Sequence, residues 1–151
     1  MAKIMIIGAY GKTAQLLTEK LLQETDDELI LFLRNAQRLN KYTDNSRIQL
    51  VDGDVLNTDM LAQSMQNATI IYSNLGGVDL DDQIQSVIKA MQQTDKNRFV
   101  YISSLGAHHE VPGKYGEWNE QAIAAYLPGF RKSAKLVSNS GMKYTEIRPA
   151  W

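Results

Sequence analysis

Apolar residues in this chain gather into short unbroken runs. The clearest are Ile-Met-Ile-Ile at 4–7 and Leu-Ile-Leu-Phe-Leu at 29–33. A strand covered on one face would alternate apolar and polar positions. A continuous run is the mark of a strand buried on both faces, as in a parallel sheet sandwiched by helices. Runs of this length predict strands over Lys3–Gly8, Glu28–Leu33, Arg47–Val51, Thr69–Ser73, Arg98–Ser103 and Lys143–Arg148. Between them the apolar spacing changes to three and four residues. That period predicts helices over Gly11–Glu24, Thr58–Gln66, Leu80–Thr94 and Glu117–Ser140, with a short turn at Ala36–Leu39. Strand and helix alternate, which predicts a doubly wound α/β (Rossmann) fold with a parallel sheet of about six strands and helices on both faces. Right-handed crossovers would give the strand order of dinucleotide-binding folds, with the switch point beside the first strand.

The chain of 151 residues contains no repeats, low-complexity tracts or linkers, so one domain over 1–151 is expected. Hydrophobic residues at 44% and charged residues at 22% are ordinary for a globular domain. A formal net charge of −1 argues against a nucleic-acid surface. The chain has no cysteine, which excludes disulfides and thiolate metal sites. No apolar run approaches the roughly 18 residues of a membrane span, and the N-terminus lacks a signal-peptide pattern. These features lead to the expectation of a cytoplasmic protein with a small-molecule substrate, no nucleic-acid or membrane partner, and room for homo-oligomers.

The most informative segment is Gly8-Ala-Tyr-Gly-Lys-Thr-Ala14, between the first strand and first helix. Gly8 permits a sharp exit from the strand. Gly11 lets backbone approach a pyrophosphate, and Ala14 lets the helix pack closely on the strand. The helix start offers free N–H groups and a positive dipole end to an anion. The second strand ends at Arg34, with Arg38 one helical turn on. An acid here would suit the ribose 2′-OH of NAD, whereas an arginine suits a 2′-phosphate, so NADP(H) is the expected cofactor and NAD(H) the alternative.

Other strand ends carry further candidates. After the third strand comes Asp52-Gly-Asp-Val55, where a carboxylate either accepts from an adenine amino group or closes an Asx turn. The fourth strand leads into Ser73-Asn-Leu-Gly-Gly77, small enough to let a cofactor cross the sheet edge. The fifth ends in Ser103 and Ser104, hydroxyls that either orient a carbonyl substrate or satisfy loop backbone. The loop Gly106–Trp118 should overhang the site. Its His108-His109-Glu110 is a poor metal site, because adjacent loop residues rarely face one ion and the chain has no further histidine. Tyr115, Trp118 and Tyr126 line a pocket or pack helix on sheet, and Arg131 is either a solvent-facing helix residue or a phosphate contact.

Together these residues resemble the atypical short-chain dehydrogenase/reductases, and within them the small NmrA-like, epimerase/dehydratase-like NAD(P)H-binding oxidoreductases. The resemblance runs over essentially the whole chain. It rests on the Gly8–Ala14 turn, Leu33-Arg34, Gly53-Asp54-Val55, Asn74-Leu75-Gly76, Ile102-Ser103-Ser104 and Ser140-Gly-Met-Lys-Tyr-Thr-Glu-Ile-Arg-Pro149. It implies that Gly8, Tyr10, Gly11, Lys12 and Thr13 hold the pyrophosphate and Arg34 the 2′-phosphate. It implies that Asp54 and Val55 contact adenine, and that Asn74 and Gly76 lie along the ribose.

Active members of the wider superfamily use a serine and a tyrosine with a lysine four residues later. Alignment from Ser140-Gly141 places the tyrosine at Tyr126, but the lysine position is Phe130. Family members also continue past the Arg-Pro turn into substrate-binding segments, whereas this sequence ends at Trp151, which leads to the expectation of either truncation or absence of most of the substrate half. The expected activity is hydride transfer to a small substrate, with Ser103, Ser104 and Tyr126 as the catalytic candidates. The alternatives are a non-catalytic NADP(H) sensor and a flavin or quinone reductase.

Overall fold

A computed structural model describes residues 1–150. Six strands form one parallel sheet: β1 (Lys3–Ile7), β2 (Glu28–Leu33), β3 (Ile48–Asp52), β4 (Ile70–Ser73), β5 (Arg98–Ile102) and β6 (Lys143–Ile147). Their order is β3-β2-β1-β4-β5-β6. The order reverses between β1 and β4, which opens the crevice at the carboxyl ends of the central strands. The register pairs Ile7 with both Phe32 and Ser73, so the exits of β1, β2 and β4 emerge side by side.

The unbroken apolar runs behave as the period argument requires. In β1, Met5 and Ile7 enter one core and Ile4 and Ile6 the other. In β2, Ile30 and Phe32 divide from Leu29, Leu31 and Leu33 in the same way. The first core is closed by α2 (Thr58–Met65), α3 (Leu80–Gln93) and α5 (Leu127–Ser138), through residues such as Leu61, Ile84, Val87, Phe130 and Val137. The second is closed by α1 (Lys12–Glu24) and a 3-10 segment, Ala36–Tyr42, kinked at Leu39. The edge strand β6 is mostly exposed, in keeping with its polar sequence Lys-Tyr-Thr-Glu-Ile.

One predicted element is corrected. The helix expected over Glu117–Ser140 is two helices, α4 (Gly113–Ala122) and α5, joined by a turn at 123–126. Pro128 supplies the reason. Inside a continuous helix its ring would strike the carbonyl of Ala124 and remove a hydrogen bond, so the chain restarts with the proline in a first turn. The short turn at Ala36–Leu39 also runs three residues further, to Tyr42.

Candidate functional site

A cleft of about 630 Å³ opens at the switch point. It is lined by the turn after β1, the ends of β2 and β3, the segment between β4 and α3, and Tyr126. Of the residues proposed from sequence it brings together Gly8, Tyr10, Gly11, Arg34, Asp54, Val55, Asn74, Gly76 and Tyr126. Lys12, Thr13, Ser103 and Ser104 are not among its lining residues.

The first turn is built around two close approaches. Gly8 has φ +74°, a conformation side chains rarely adopt, and a Cβ there would lie 3.0 Å from the Asn74 carbonyl oxygen. At Gly11 a Cβ would collide with the Asn74 side-chain amide. The Gly8 N–H donates to the Phe32 carbonyl at 3.0 Å and the Gly11 N–H to the Gly8 carbonyl at 3.1 Å, which shuts the turn on itself. Gly11 then caps α1 with no side-chain hydrogen bond, and no acid stands in the first turn. Lys12 instead places a cation at the positive end of the helix dipole, an arrangement that suits an incoming anion.

The exit of β2 is basic. Arg34 and Arg38 both line the cleft, and the Arg38 guanidinium lies over the Tyr10 ring, 4.0 Å from its centroid. Asp52 does not face the ligand space, because its two carboxylate oxygens accept from the N–H groups of Asn35 and Ala36, each at 3.0 Å. Asp54 closes an Asx turn, accepting from the Leu56 N–H at 2.9 Å, and it still lines the cleft. At Gly76 a Cβ would meet no protein atom within 4 Å, so packing does not demand a glycine on that wall.

Gln83 and Asp79, which sequence reading did not single out, shape the far side. The Gln83 amide donates to the Gly76 carbonyl at 3.0 Å and to Asp79 Oδ1 at 2.8 Å. Their i,i+4 spacing at the head of α3 was the available signal.

Tyr126 stands at the head of α5, 43% exposed, and lines the cleft. Four residues on, Phe130 is buried in the core. The neighbouring cations are engaged elsewhere. Arg131 donates to the Gly106 carbonyl at 3.0 Å and pairs with Glu120, and Lys132 pairs with Asp81 at 3.4 Å. Arg131 therefore clamps a loop rather than serving as a phosphate contact.

The loop expected to overhang the site also needs correction, since none of residues 106–118 lines the cleft. It closes against β6 instead. Glu110 turns back to accept from the N–H groups of Gly106 at 2.8 Å and His108 at 2.9 Å, and it pairs with Arg148 at 3.1 Å. His108 Nε2 lies 2.7 Å from Glu146 Oε2. Beneath this roof the Tyr101 hydroxyl is held well above its ordinary range, by burial first and by the Glu146 charge second. Tyr115 and Trp118 stack on each other, ring centroids 5.6 Å apart, and stay half exposed.

Burial works against ionisation of Glu110, but the loop N–H groups and Arg148 outweigh it and hold the carboxyl below its usual 4.5. A lowered folded value adds stability that is present above the unfolded value and lost as pH falls through the folded one. The expected result is that Glu110→Gln lowers the denaturation midpoint at pH 7 and flattens its decline below about pH 4.5. Parallel melting curves at pH 7 and pH 3.5 check this, and equal losses at both would contradict it.

The two serines differ. Ser104 is fully buried and its hydroxyl donates to the Leu105 carbonyl at 3.1 Å. Ser103 is also buried, yet its hydroxyl has no hydrogen-bond partner among the described residues. Among those residues, too, no cluster of three or more His, Asp or Glu side chains is placed to hold a metal, and no helix is long and apolar enough to cross a membrane.

Comparison with known proteins agrees with this geometry. A family model described as NAD(P)H-binding matches residues 8–151. A short-chain dehydrogenase/reductase from Veillonella parvula, solved with NADP, superposes with a TM-score of 0.92 at 27% identity, covering 99% of this chain and 70% of that one. A Rossmann-fold NAD(P)-binding family protein from Shigella flexneri is 35% identical with a TM-score of 0.80, covering 100% of this chain and 68% of that one. Among curated proteins, oxidoreductase AgnL4 of Paecilomyces divaricatus is 26% identical over 103 residues, which are 61% of this chain and 39% of that protein. The chain thus spans about two fifths of that curated relative. With a glycine turn at the switch point, an uncapped helix head facing the cleft and a family match over almost its full length, the chain belongs to the NAD(P)H-binding family of Rossmann-fold proteins.

Proposed function

We propose that this chain is the cofactor-binding part of an NADP(H)-dependent oxidoreductase that acts on a small substrate. The observation that carries the reading is the pair of guanidinium groups, Arg34 and Arg38, at the exit of β2, beside the uncapped head of α1. The residues present fit the cofactor. The N–H groups at Lys12 and Thr13, just past the cleft-lining Gly11, would hold the pyrophosphate, and Gly8 and Gly11 would leave it room. The arginines would hold the 2′-phosphate, Asp54 and Val55 the adenine, and Asn74 and Gly76 the ribose. The NADP held by the Veillonella parvula protein supports the same choice. The cofactor, when bound, supplies the hydride. Tyr126 offers a hydroxyl on the cleft wall to orient a reacting oxygen, whereas the unpartnered Ser103 hydroxyl is buried outside the cleft lining and would need that wall to open before it could join.

Titration with NADPH and NADH tests the cofactor. NADPH is expected to bind at least tenfold more tightly, because a bidentate arginine–phosphate contact is among the stronger charge-assisted pairs. Equal affinities would refute it. Phe130 favours a second reading for the reaction. With no lysine beside Tyr126, hydride acceptors that need no tyrosine–lysine relay, such as flavins and quinones, suit the site better than simple carbonyls. Steady-state assays across the three acceptor classes separate these. NADPH bound but never oxidised would point instead to a non-catalytic redox sensor.

A further inference from the structure

The sequence directs attention to Arg34 as the phosphate-binding cation, but the structure holds a different guanidinium in place. We propose that Arg38 carries the discrimination for a ribose 2′-phosphate, and that Tyr10 is the positioning residue that aims it. This rests on the NADP(H) reading above.

Arg34 and Arg38 are both exposed, but the Arg34 side chain makes no hydrogen bond or ion pair among the described residues. Arg38 is fixed from three directions. Its Nη2 donates to the Arg34 carbonyl at 2.6 Å, its Nε donates to the Asn35 carbonyl at 3.3 Å, and its plane lies over the Tyr10 ring. A guanidinium has two forks of donors, one along the Nε/Nη2 edge and one along the Nη1/Nη2 end. Backbone carbonyls occupy the first. The second has no partner among the described residues and belongs to a side chain that lines the cleft. A planar, pre-aimed fork is what a phosphate monoester binds bidentately, and the rotamer freedom has already been lost before the ligand arrives.

The platform is itself secured. Tyr10 sits inside the Gly8–Gly11 turn, and its carbonyl accepts from Gln15 Nε2 at 2.6 Å. The turn that faces the pyrophosphate and the cation that faces the ribose phosphate are therefore joined by one aromatic contact.

Calorimetric titration with adenosine 2′,5′-bisphosphate and with 5′-AMP isolates the contribution of the 2′-phosphate. The parent chain should prefer the bisphosphate. Tyr10→Leu should cut that preference by about two- to fivefold, the scale of an exposed cation–π contact. Tyr10→Phe, which keeps the ring, should restore it. Arg38→Ala should remove at least about tenfold of the preference, and more than Arg34→Ala does. Tyr10 is 44% exposed, so these variants should fold, and circular dichroism checks that they do. An unchanged ratio in Tyr10→Leu, or a larger loss in Arg34→Ala than in Arg38→Ala, would overturn the proposal while leaving the NADP(H) reading intact. No preference in the parent chain would remove both.

Discussion

Replacing Phe130 with lysine is expected to unfold much of this protein rather than complete a tyrosine–lysine pair. The sequence alignment with Tyr126 makes Phe130→Lys the natural attempt to restore carbonyl reduction. In the folded chain, however, Phe130 is 7% exposed and belongs to the core cluster formed with α3 and the sheet. The substitution removes a buried aromatic ring, a loss that typically costs about 3–5 kcal/mol, and puts an ammonium group in its place. Against a total stability on the order of 5–15 kcal/mol for such a domain, that is a large fraction. Urea denaturation of the parent and the variant measures the cost. A variant that keeps the parent midpoint and gains NADPH-dependent carbonyl reduction would show the core reading to be wrong.

Gly8→Ala is expected to abolish tight dinucleotide binding while leaving most of the fold in place. Two penalties coincide. The positive φ costs an alanine about 1–2 kcal/mol, and its Cβ would press on the Asn74 backbone at 3.0–3.1 Å. Backbone atoms cannot swing aside as a flexible side chain can, so the turn must shift. A displacement near 1 Å at the site of anion contact removes the N–H alignment on which binding depends. NADPH affinity should fall by more than about tenfold, with a loss of roughly 1–3 kcal/mol in stability. Gly76→Ala is the informative control, because a Cβ there meets no protein atom and stability should be unchanged, whatever happens to binding.

The parts of this molecule legible in its sequence are those where one constraint acts locally. Strands β1 and β2 were readable because burial on both faces forces unbroken apolar runs. The glycine turn was readable because positive φ and close approach restrict residue type. The break between α4 and α5 was harder, since the apolar spacing continues through it and only Pro128 marks the restart. Tertiary choices were not readable. The seating of Arg38 on Tyr10 joins residues 28 positions apart, and the roof of Glu110 and His108 over Glu146 and Arg148 depends on β6 lying beside β5. Arg34 looked decisive because strand-end position is visible in a sequence, whereas immobilisation of a side chain is not.

The bare head of α1 couples ligand to folding. With neither a capping side chain nor an acid in its first turn, and with Lys12 there instead, the free chain keeps an electrostatic conflict that an anion resolves. Whatever binds the folded turn and not the unfolded chain raises stability with its concentration, by about 2.7 kcal/mol at a hundredfold excess over its Kd. The melting temperature of this protein is therefore expected to rise with free dinucleotide, and its resistance to proteolysis should rise and fall with the same pool.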